Sequence, residues 1–520
     1  MPWMIELEAA ADDAGTLITH HWASGRGHVT GPAETPAHTI FQARVIDPGN
    51  TERHLFGSGR TRGASSVGYG KVDINNMDGK LDTVLMQGMG RPLIIRKGPR
   101  GAAYPADFPV QAALIAEQAE APDVKTLRLL VRDRQSLVRD KVFNPEKYAG
   151  DNILPDGVEG TADDIGGDNK PAGWGVYRNV EPRCVNTSKH IYQVSVDTGQ
   201  TATPTAVRDD GSTLTPGVQR ASVADLELTA PAVGIDYDWC HEAGKGLYVR
   251  LDAEPTSTLT VDATEGADAA ARTTAQLIRR ILTGPGGLTD ADLDLDSFAA
   301  LDALNSAVVG FWTDGETTVG TALDTVAGSV GAWWLDDLGL FRVGRLDAPT
   351  GMPVKTIHKW ELLGDPDLMT SSDEGDGLPV WRVTVTYRPN YTEQDRASLS
   401  GIAGVDEALL ATLEQPHLTV VAEDAAVQVK HPNAVEITVE TQLDDAGAAQ
   451  AEADRLLALY RVKRLFPAVR VPLTRLGAAA LGTVIALDLN RFGFSGGKLL
   501  RVLGLTEERK SNVATLYCWG

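Results

Sequence analysis

The residues whose types and spacing come nearest to catalysis lie close to the C-terminus. There Gly493-Phe494-Ser495-Gly496-Gly497 has the Gly-x-Ser-x-Gly pattern of a serine-hydrolase nucleophile elbow. That pattern does chemistry when the serine sits on a sharp strand-to-helix turn and an acid and a histidine follow in the chain to accept its proton. Neither condition holds. Gly497 is followed by Lys498–Leu505 (KLLRVLGL), which reads as a strand, and His431 is the last histidine. The glycines therefore read as positions that tolerate positive φ in a wide hairpin turn, with Ser495 a polar filler between them.

Other patterns thin out in the same way. Asp290, Asp292, Asp294 and Asp296 alternate like a cation site, but an EF-hand loop beginning at Asp290 needs Gly where Leu295 stands and Glu where Leu301 stands. A solvated segment leading into a helix is the expectation. Asn75–Asp82 (NNMDGKLD) reads as an ordinary Asp-Gly turn, since no acid occupies the twelfth loop position counted from Asp78. The glycine-rich tract Gly57–Lys71 fails as a phosphate loop because Lys71 is followed by Val72 and a strand, not by Ser or Thr and a helix. His241-Glu242 lacks the second histidine of a zinc motif. A glycosidase needs two carboxylates about 5 to 9.5 Å apart, and the 70 acids single out no pair. No catalytic, cofactor-binding or metal-ligating residue is assigned. Of the aromatic residues, Trp174, Tyr177, Trp239 and Trp312 are candidates for sugar-stacking faces. Trp333-Trp334 reads as one core residue with its neighbour turned outward or into an interface.

The elements around these residues are short and turn-rich. Gly 53 and Pro 27 in 520 residues favour many turns over long helices, and the length suggests about three or four domains. The net charge of -22 argues against a surface that grips nucleic acid, which needs clustered cations. Cys184, Cys240 and Cys518 are too far apart for a CxxC motif and fit a reducing cytoplasm. The N-terminus has neither a basic leader nor an apolar stretch. The longest nearly apolar run, Leu476 to Leu487, is 12 residues with two glycines, well short of the roughly 20 that a membrane span needs.

Periodicity predicts a mainly β chain with some α, that is α+β and multidomain. Residues 1–100 form a β domain with strands at Met4–Glu8, Thr16–Trp22, Val67–Ile74 and Pro92–Arg96. Residues 101–262 form a β-rich middle domain. Its strands include Lys125–Arg132, Ile191–Val196, Leu226–Thr229 and Gly246–Leu251, and it carries a long loop insertion over 144–182. An α+β domain spans 263–350, with helices at Ala267–Leu282 and Thr317–Ser329 and a strand-turn-strand at Gly331–Val343. Residues 351–520 hold strands at Val380–Tyr387, Val427–Lys430 and Val435–Val439, then a helix over 445–464. On that helix Ala449, Ala453, Leu456 and Tyr460 make one stripe, and Arg461, Lys463 and Arg464 sit at its end. Strands at Ala468–Thr474, Val484–Leu489, Lys498–Leu505 and Val513–Trp519 close the chain.

The run of helix 445–464, strand, small-residue turn, VIALDLNRFGFSGGKLLRVLGL and a last strand ending at Trp519 resembles the C-terminal part of the central tail hub or tail-tip (baseplate hub) proteins of long-tailed bacteriophages and gene transfer agents. GAWWLDDLGLFRVG resembles a recurring unit of those hubs. HLFGSGRTRGASSVGYGKVDINNMDGKLD with GRPLIIRKG, and GTADDIGGDNKPAGWGVYRNVEP, are similar to their N-terminal and middle portions. The resemblance implies β-barrel-like hub domains, barrels discontinuous in sequence among them, in a homotrimer at the tail end. It implies as partners the distal tail protein, tail tube, tape measure and central fibre or receptor-binding proteins, with DNA passing through without specific binding. It implies a virion protein made in the host cytoplasm, with no membrane anchor, cofactor or enzymatic role. The alternatives are a tail-associated glycan or cell-wall hydrolase and a receptor-binding adhesin.

Overall fold

The computed structural model describes residues 1–66, 68–397, 399 and 406–520. The first 132 residues supply nine strands: β1 (Trp3–Ala10), β2 (Leu17–Ala23), β3 (His28–Val29), β4 (Ile40–Ala43), β5 (Val45–His54), β6 (Tyr69–Asn75), β7 (Arg91–Lys97), β8 (Val110–Asp123) and β9 (Thr126–Arg132). Their cause is period-2 alternation. In β9, Leu127, Leu129 and Val131 are buried while Thr126, Arg128 and Leu130 are half-buried. The expected strand start at Val67 lies outside the described residues.

Next come a short helix α1 (Gln135–Arg139), the hairpin β10 (Asp151–Ile153) and β11 (Asp156–Thr161), and strands β12 (Ala172–Val180), β13 (Arg183–Asn186), β14 (Ile191–Ser195), β15 (Ala202–Asp209), β16 (Ser212–Thr213) and β17 (Pro216–Gln219). After helix α2 (Val223–Leu228) follow β18 (Tyr237–Glu242), β19 (Gly246–Leu251) and β20 (Leu259–Glu265). Helices α3 (Thr274–Thr283) and α4 (Leu295–Leu304), strand β21 (Gly310–Thr313) and helix α5 (Val319–Gly328) lead to the hairpin β22 (Ala332–Asp337) and β23 (Leu340–Arg345). The last third has β24 (Lys355–His358), β25 (Asp367–Met369), β26 (Val380–Tyr387), α6 (Glu407–Glu414), β27 (Leu418–Glu423), α7 (Ala425–Lys430), β28 (Val435–Val439), α8 (Ala446–Tyr460), β29 (Phe466–Pro472), β30 (Val484–Asp488), β31 (Lys498–Glu508) and β32 (Val513–Trp519).

The two ends of the chain share one 15-stranded sheet, ordered β25-β29-β32-β31-β5-β6-β9-β8-β7-β1-β2-β4-β3, with β30 and then β24 attached beside β31. The seam is β31 against β5, antiparallel, with Gly504 opposite His54 and Glu508 opposite Asn50. Side chains of β1, β2 and β6–β9 converge on one core (Ile5, Leu7, Trp22, Val72, Leu93, Leu114, Leu129 among them), so this part of the sheet wraps around its own interior. The C-terminal strands wrap a second core that includes Val469, Leu487, Val502, Leu516 and Trp519. Among the described residues the strand path is open at both ends. The barrel-like hub domains implied by the resemblance are therefore curled sections of one sheet and not closed barrels.

Between the ends sits a sandwich. Sheets β16-β15-β20-β12-β21 and β13-β14-β19-β18-β17 face each other across Tyr177, Val194, Val207, Val249 and Val261. Helices α3, α4, α5 and α8, the hairpin β22–β23 and the sheet β27-β26-β28 share a further core. The sequence placed one of Trp333 and Trp334 in a core and its neighbour outward or in an interface, and neither is turned outward. Both are buried, on opposite faces of β22, Trp333 in the C-terminal core and Trp334 in the helical one. The hairpin thus acts as the wall between two interiors.

Several expected elements change type or length. Leu226–Thr229 and Val427–Lys430, read as strands, fall instead on the end of α2, with Thr229 just beyond it, and on α7. Ser222 caps α2 by accepting from the Asp225 N–H, and Asp424 caps α7 by accepting from the Ala426 N–H. The insertion 144–182 is not all loop, since it contains the β10–β11 hairpin and β12, whose residues are nearly all buried. The helix expected over Ala267–Leu282 breaks at Thr273, which caps α3 through the Gln276 N–H. The helix expected over 445–464 ends at Tyr460, leaving Lys463 and Arg464 beyond its last turn.

Candidate functional site

Ser495 lies in the turn between β30 and β31, where Phe492, Gly493, Gly496 and Gly497 all have positive φ. Its hydroxyl donates to the Leu489 carbonyl at 3.3 Å. An acid–histidine pair does approach this turn, and the sequence reading missed it because the histidine comes earlier in the chain. His358 Nδ1 is 3.2 Å from Asp488 Oδ2, and the other Asp488 oxygen accepts from the Gly496 N–H at 3.1 Å. Among the described residues no hydrogen bond joins His358 to Ser495. Asp488 holds the turn closed.

Three of the four aspartates at 290–296 are engaged by arginines. Asp290 pairs with Arg279, Asp292 with Arg134 and Asp294 with Arg342, at 2.6 to 2.9 Å. The guanidinium groups hold the Asp290 and Asp292 carboxyls below their usual range. Asp78 is likewise clamped by Arg44 through two bonds of 2.8 Å. Among the described residues no group of three or more His, Cys, Asp and Glu is placed to hold a metal ion. Trp174, Tyr177 and Trp312 are buried and offer no sugar-stacking face, while Trp239 is half-buried against the sandwich core.

The glycine-rich tract is a packing loop. Ser65 Oγ accepts from the Trp334 N–H at 3.0 Å, the Thr61 N–H donates to Asp373 at 3.0 Å, and Arg139 donates to the Ser65 carbonyl at 2.7 Å. Gly68, in the same tract, donates its N–H to Asp133. Asp133 is buried and stands where β9, β5 and the β22–β23 hairpin meet. Its other oxygen accepts from the Gln135 N–H at 3.1 Å, and Asp336, also buried, accepts from the Arg134 and Gly339 N–H groups. Burial, with the nearby Asp336 carboxyl adding to it, pushes the Asp133 carboxyl up to about 7. Around the pair, Arg53 reaches Asp337 at 3.0 Å and Arg509 reaches Glu507 at 2.9 Å. This ionic junction ties the N-terminal strands, the hairpin and the C-terminal strands together.

The apolar groove of about 300 Å³ beside the end of α8 is a second feature the sequence did not announce. Its walls are Leu368 and Met369 of β25, Val380 of β26, Ile437 of β28, Phe466 of β29 and Trp519 of β32. Tyr460 closes one side, its hydroxyl 3.1 Å from Thr61 Oγ1, and burial pushes that hydroxyl up to about 12. An adjoining cavity of about 590 Å³ shares Thr61, Arg62, Asp373, Glu374 and Tyr460 with it. The acids of the groove are mostly occupied: Asp373 accepts from Thr61 and Ser371, and Glu374 lies 3.6 Å from Arg62. Arg464 stacks on Trp519, with its guanidinium carbon 4.8 Å from the ring centre, and donates Nε–H to the Leu459 carbonyl at 3.0 Å.

No known family profile matches the chain, and no curated protein matches it. Among solved structures, the tail protein from Neisseria meningitidis is 12% identical over 100% of this chain and 96% of that chain, with a TM-score of 0.39. A chain of the native gene transfer agent virion is 16% identical over 68% of this chain and 85% of that chain, with a TM-score of 0.41. A prophage tail protein from Listeria monocytogenes is 6% identical over 92% of this chain and 90% of that chain, with a TM-score of 0.36. Two of these three are tail proteins and one is a virion component, and a further similar structure is a component of a type VI secretion system.

Proposed function

We propose that this chain is a structural protein of a phage-type tail, the hub of its tip or baseplate, without enzymatic activity. It would join the tail tube and distal tail protein to the central fibre or receptor-binding parts. The observation that carries this reading is the seam of β5 against β31, which makes strands from the two ends of a 520-residue chain into one sheet. A part that transmits load between neighbours needs its bodies locked together, and a shared ladder with the Arg53–Asp337 ion pair beside it does this. The side chains with catalytic spacing are taken up in turns and ion pairs, which removes the support for a hydrolase. The burial of Trp174, Tyr177 and Trp312 does the same for an adhesin built on those faces.

The sequence resemblance supplies the finer points of the proposal: a homotrimer around the DNA path, contact with tape measure and fibre, a part in virion assembly, host attachment and DNA ejection, and a place in the virion after synthesis in the host cytoplasm. With a net charge of -22, three copies would present a wall that repels phosphates and lets DNA slide. The division into 1–100, 101–262, 263–350 and 351–520 is proposed as an organisation along the sequence only, since strands from the first, second and last of these segments pair in one sheet. Deleting the gene from a producing strain is the test: the reading expects particles with absent or incomplete tail tips, restored by supplying the gene in trans. Normal, infective tails without the protein would overturn it.

A further inference from the structure

All ten tryptophans lie within the described residues, and Trp360 alone is exposed, at 70%. A single apolar side chain on a surface is ordinary. This one differs in being held in place. Trp360 is the middle residue of the 3-10 turn Lys359–Glu361 that follows β24. Glu361 fixes the turn from inside: it is buried, accepts from the His358 N–H at 3.1 Å and takes the Lys355 ammonium at 2.8 Å. The His358 ring lies nearly parallel to the indole, at 12° with centroids 5.9 Å apart, and Asp488 anchors that imidazole. The guanidinium carbon of Arg475 is 5.6 Å from the indole centre.

A second aromatic–arginine pair stands at the same end of the strands. β24 and β30 run parallel with His358 opposite Asp488, so the chain leaves both on one side, toward Trp360 from β24 and toward Phe492 from β30. Phe492 is 55% exposed, has a left-handed φ of 58° that a bulky residue seldom adopts, and carries Arg491 at 5.5 Å from its ring centre. Among the described residues no carboxylate lies within ion-pair distance of Lys359, Arg475 or Arg491. The acids beside the turn are engaged, Glu361 by Lys355 and Asp488 by His358, and Asp365 lies beyond it in the loop to β25.

We propose that Trp360 and Phe492 form a stacking platform for an acidic oligosaccharide, with one sugar ring on the indole and its carboxylate or phosphate on Arg475. A pyranose shows C–H groups on its face and hydroxyls at its rim, so its site needs an aromatic plane edged by both acceptors and donors. Asp488, His358 and Arg475 supply both, and the guanidinium adds a charge-assisted pair to the acid group. A nucleic-acid strand fits less well: it needs clustered cations, whereas here a carboxylate, Asp488, stands within the site of a chain whose net charge is -22. A bilayer or a protein partner calls for a contiguous apolar patch, and Trp360 is flanked by charged groups. The inference stands apart from the tail assignment.

The test applies the full chain to an array of uronic-acid, sialic-acid and phosphate-bearing oligosaccharides with their neutral counterparts, then titrates the best ligand by calorimetry. The acidic glycan should bind about tenfold or more tightly than its neutral counterpart, as expected for a charge-assisted pair. Trp360→Ala should weaken it by about tenfold or more, the loss expected when a stacking ring is removed, and Trp360→Phe should keep part of the affinity. Arg475→Gln should level acidic and neutral glycans. Both side chains are exposed, so these variants should melt with the wild type. No glycan bound up to about 10 mM, equal binding of acidic and neutral glycans, or acidic binding that survives in a folded Trp360→Ala or Arg475→Gln protein would overturn the proposal. So would binding of single-stranded oligothymidylate or of phosphatidylglycerol vesicles that depends on Trp360 and exceeds that of every glycan.

Discussion

Burying Asp133 beside Asp336 gives the fold a pH signature. The carboxyl rises from an ordinary 3.8 to about 7, so between those values the folded chain holds a proton that the unfolded chain has lost. Stability from this residue therefore falls as pH rises through that window and levels off above about 7. Asp336, itself raised by burial, acts in the same direction, and the Arg53 guanidinium opposes both. Replacing Asp133 with Asn removes the titration. Chemical denaturation of the two proteins at pH 5 and pH 8 should show the wild-type advantage shrinking by about 2–3 kcal/mol at the higher pH. A difference that stays constant would mean that Asp133 titrates normally. Ser495 offers the opposite expectation. Its hydroxyl makes one long bond in an exposed turn, so Ser495→Ala should move stability by no more than about 0.5 kcal/mol and leave infectivity intact. A large loss of infectivity from that change would bring back the hydrolase. At this scale the sequence was informative about what fails. Spacing alone dismissed the elbow, the EF-hand and the phosphate loop, but it could not show that Arg279, Arg134 and Arg342 would meet the aspartates, since those contacts join separate elements.

Elements were readable where pattern and length agreed. Alternation marked β9, β26 and β32, and the small-residue turn at 493–497 announced the hairpin of β30 and β31. Short apolar runs misled: VQVK alternates like a strand, yet Asp424 satisfies the first free N–H groups and the segment closes as one helical turn with His431 donating to the Val427 carbonyl. The seam could not be read at all, because nothing local in Thr51 or Glu507 encodes a partner 456 positions away. It carries a test of its own. Thr506 lies opposite both Glu52 of β5 and Thr515 of β32. A proline there removes a ladder donor between two paired neighbours and should cost about 3 kcal/mol or more. Limited proteolysis of Thr506→Pro should then release fragments from the N-terminal strands faster than from the wild type. An unchanged cleavage pattern and melting temperature would show that the seam does not hold the ends together.

For the whole molecule, acidity, sheet continuity and the consumption of reactive side chains in structural contacts point the same way. No helix among the described residues is long and apolar enough to cross a membrane. The chain places one frame, wrapped around two cores, against a sandwich and a helical body. In a tail tip such a frame would be repeated around the axis, with the acidic surface toward the DNA. A cryo-electron microscopy reconstruction of the particles made by a producing strain addresses this most directly. The account predicts this fold at the distal end of the tail, in three copies around the central channel and in contact with the tube above and a fibre or receptor-binding part below. Finding the chain elsewhere in the particle, in a single off-axis copy, or missing from purified particles would contradict it.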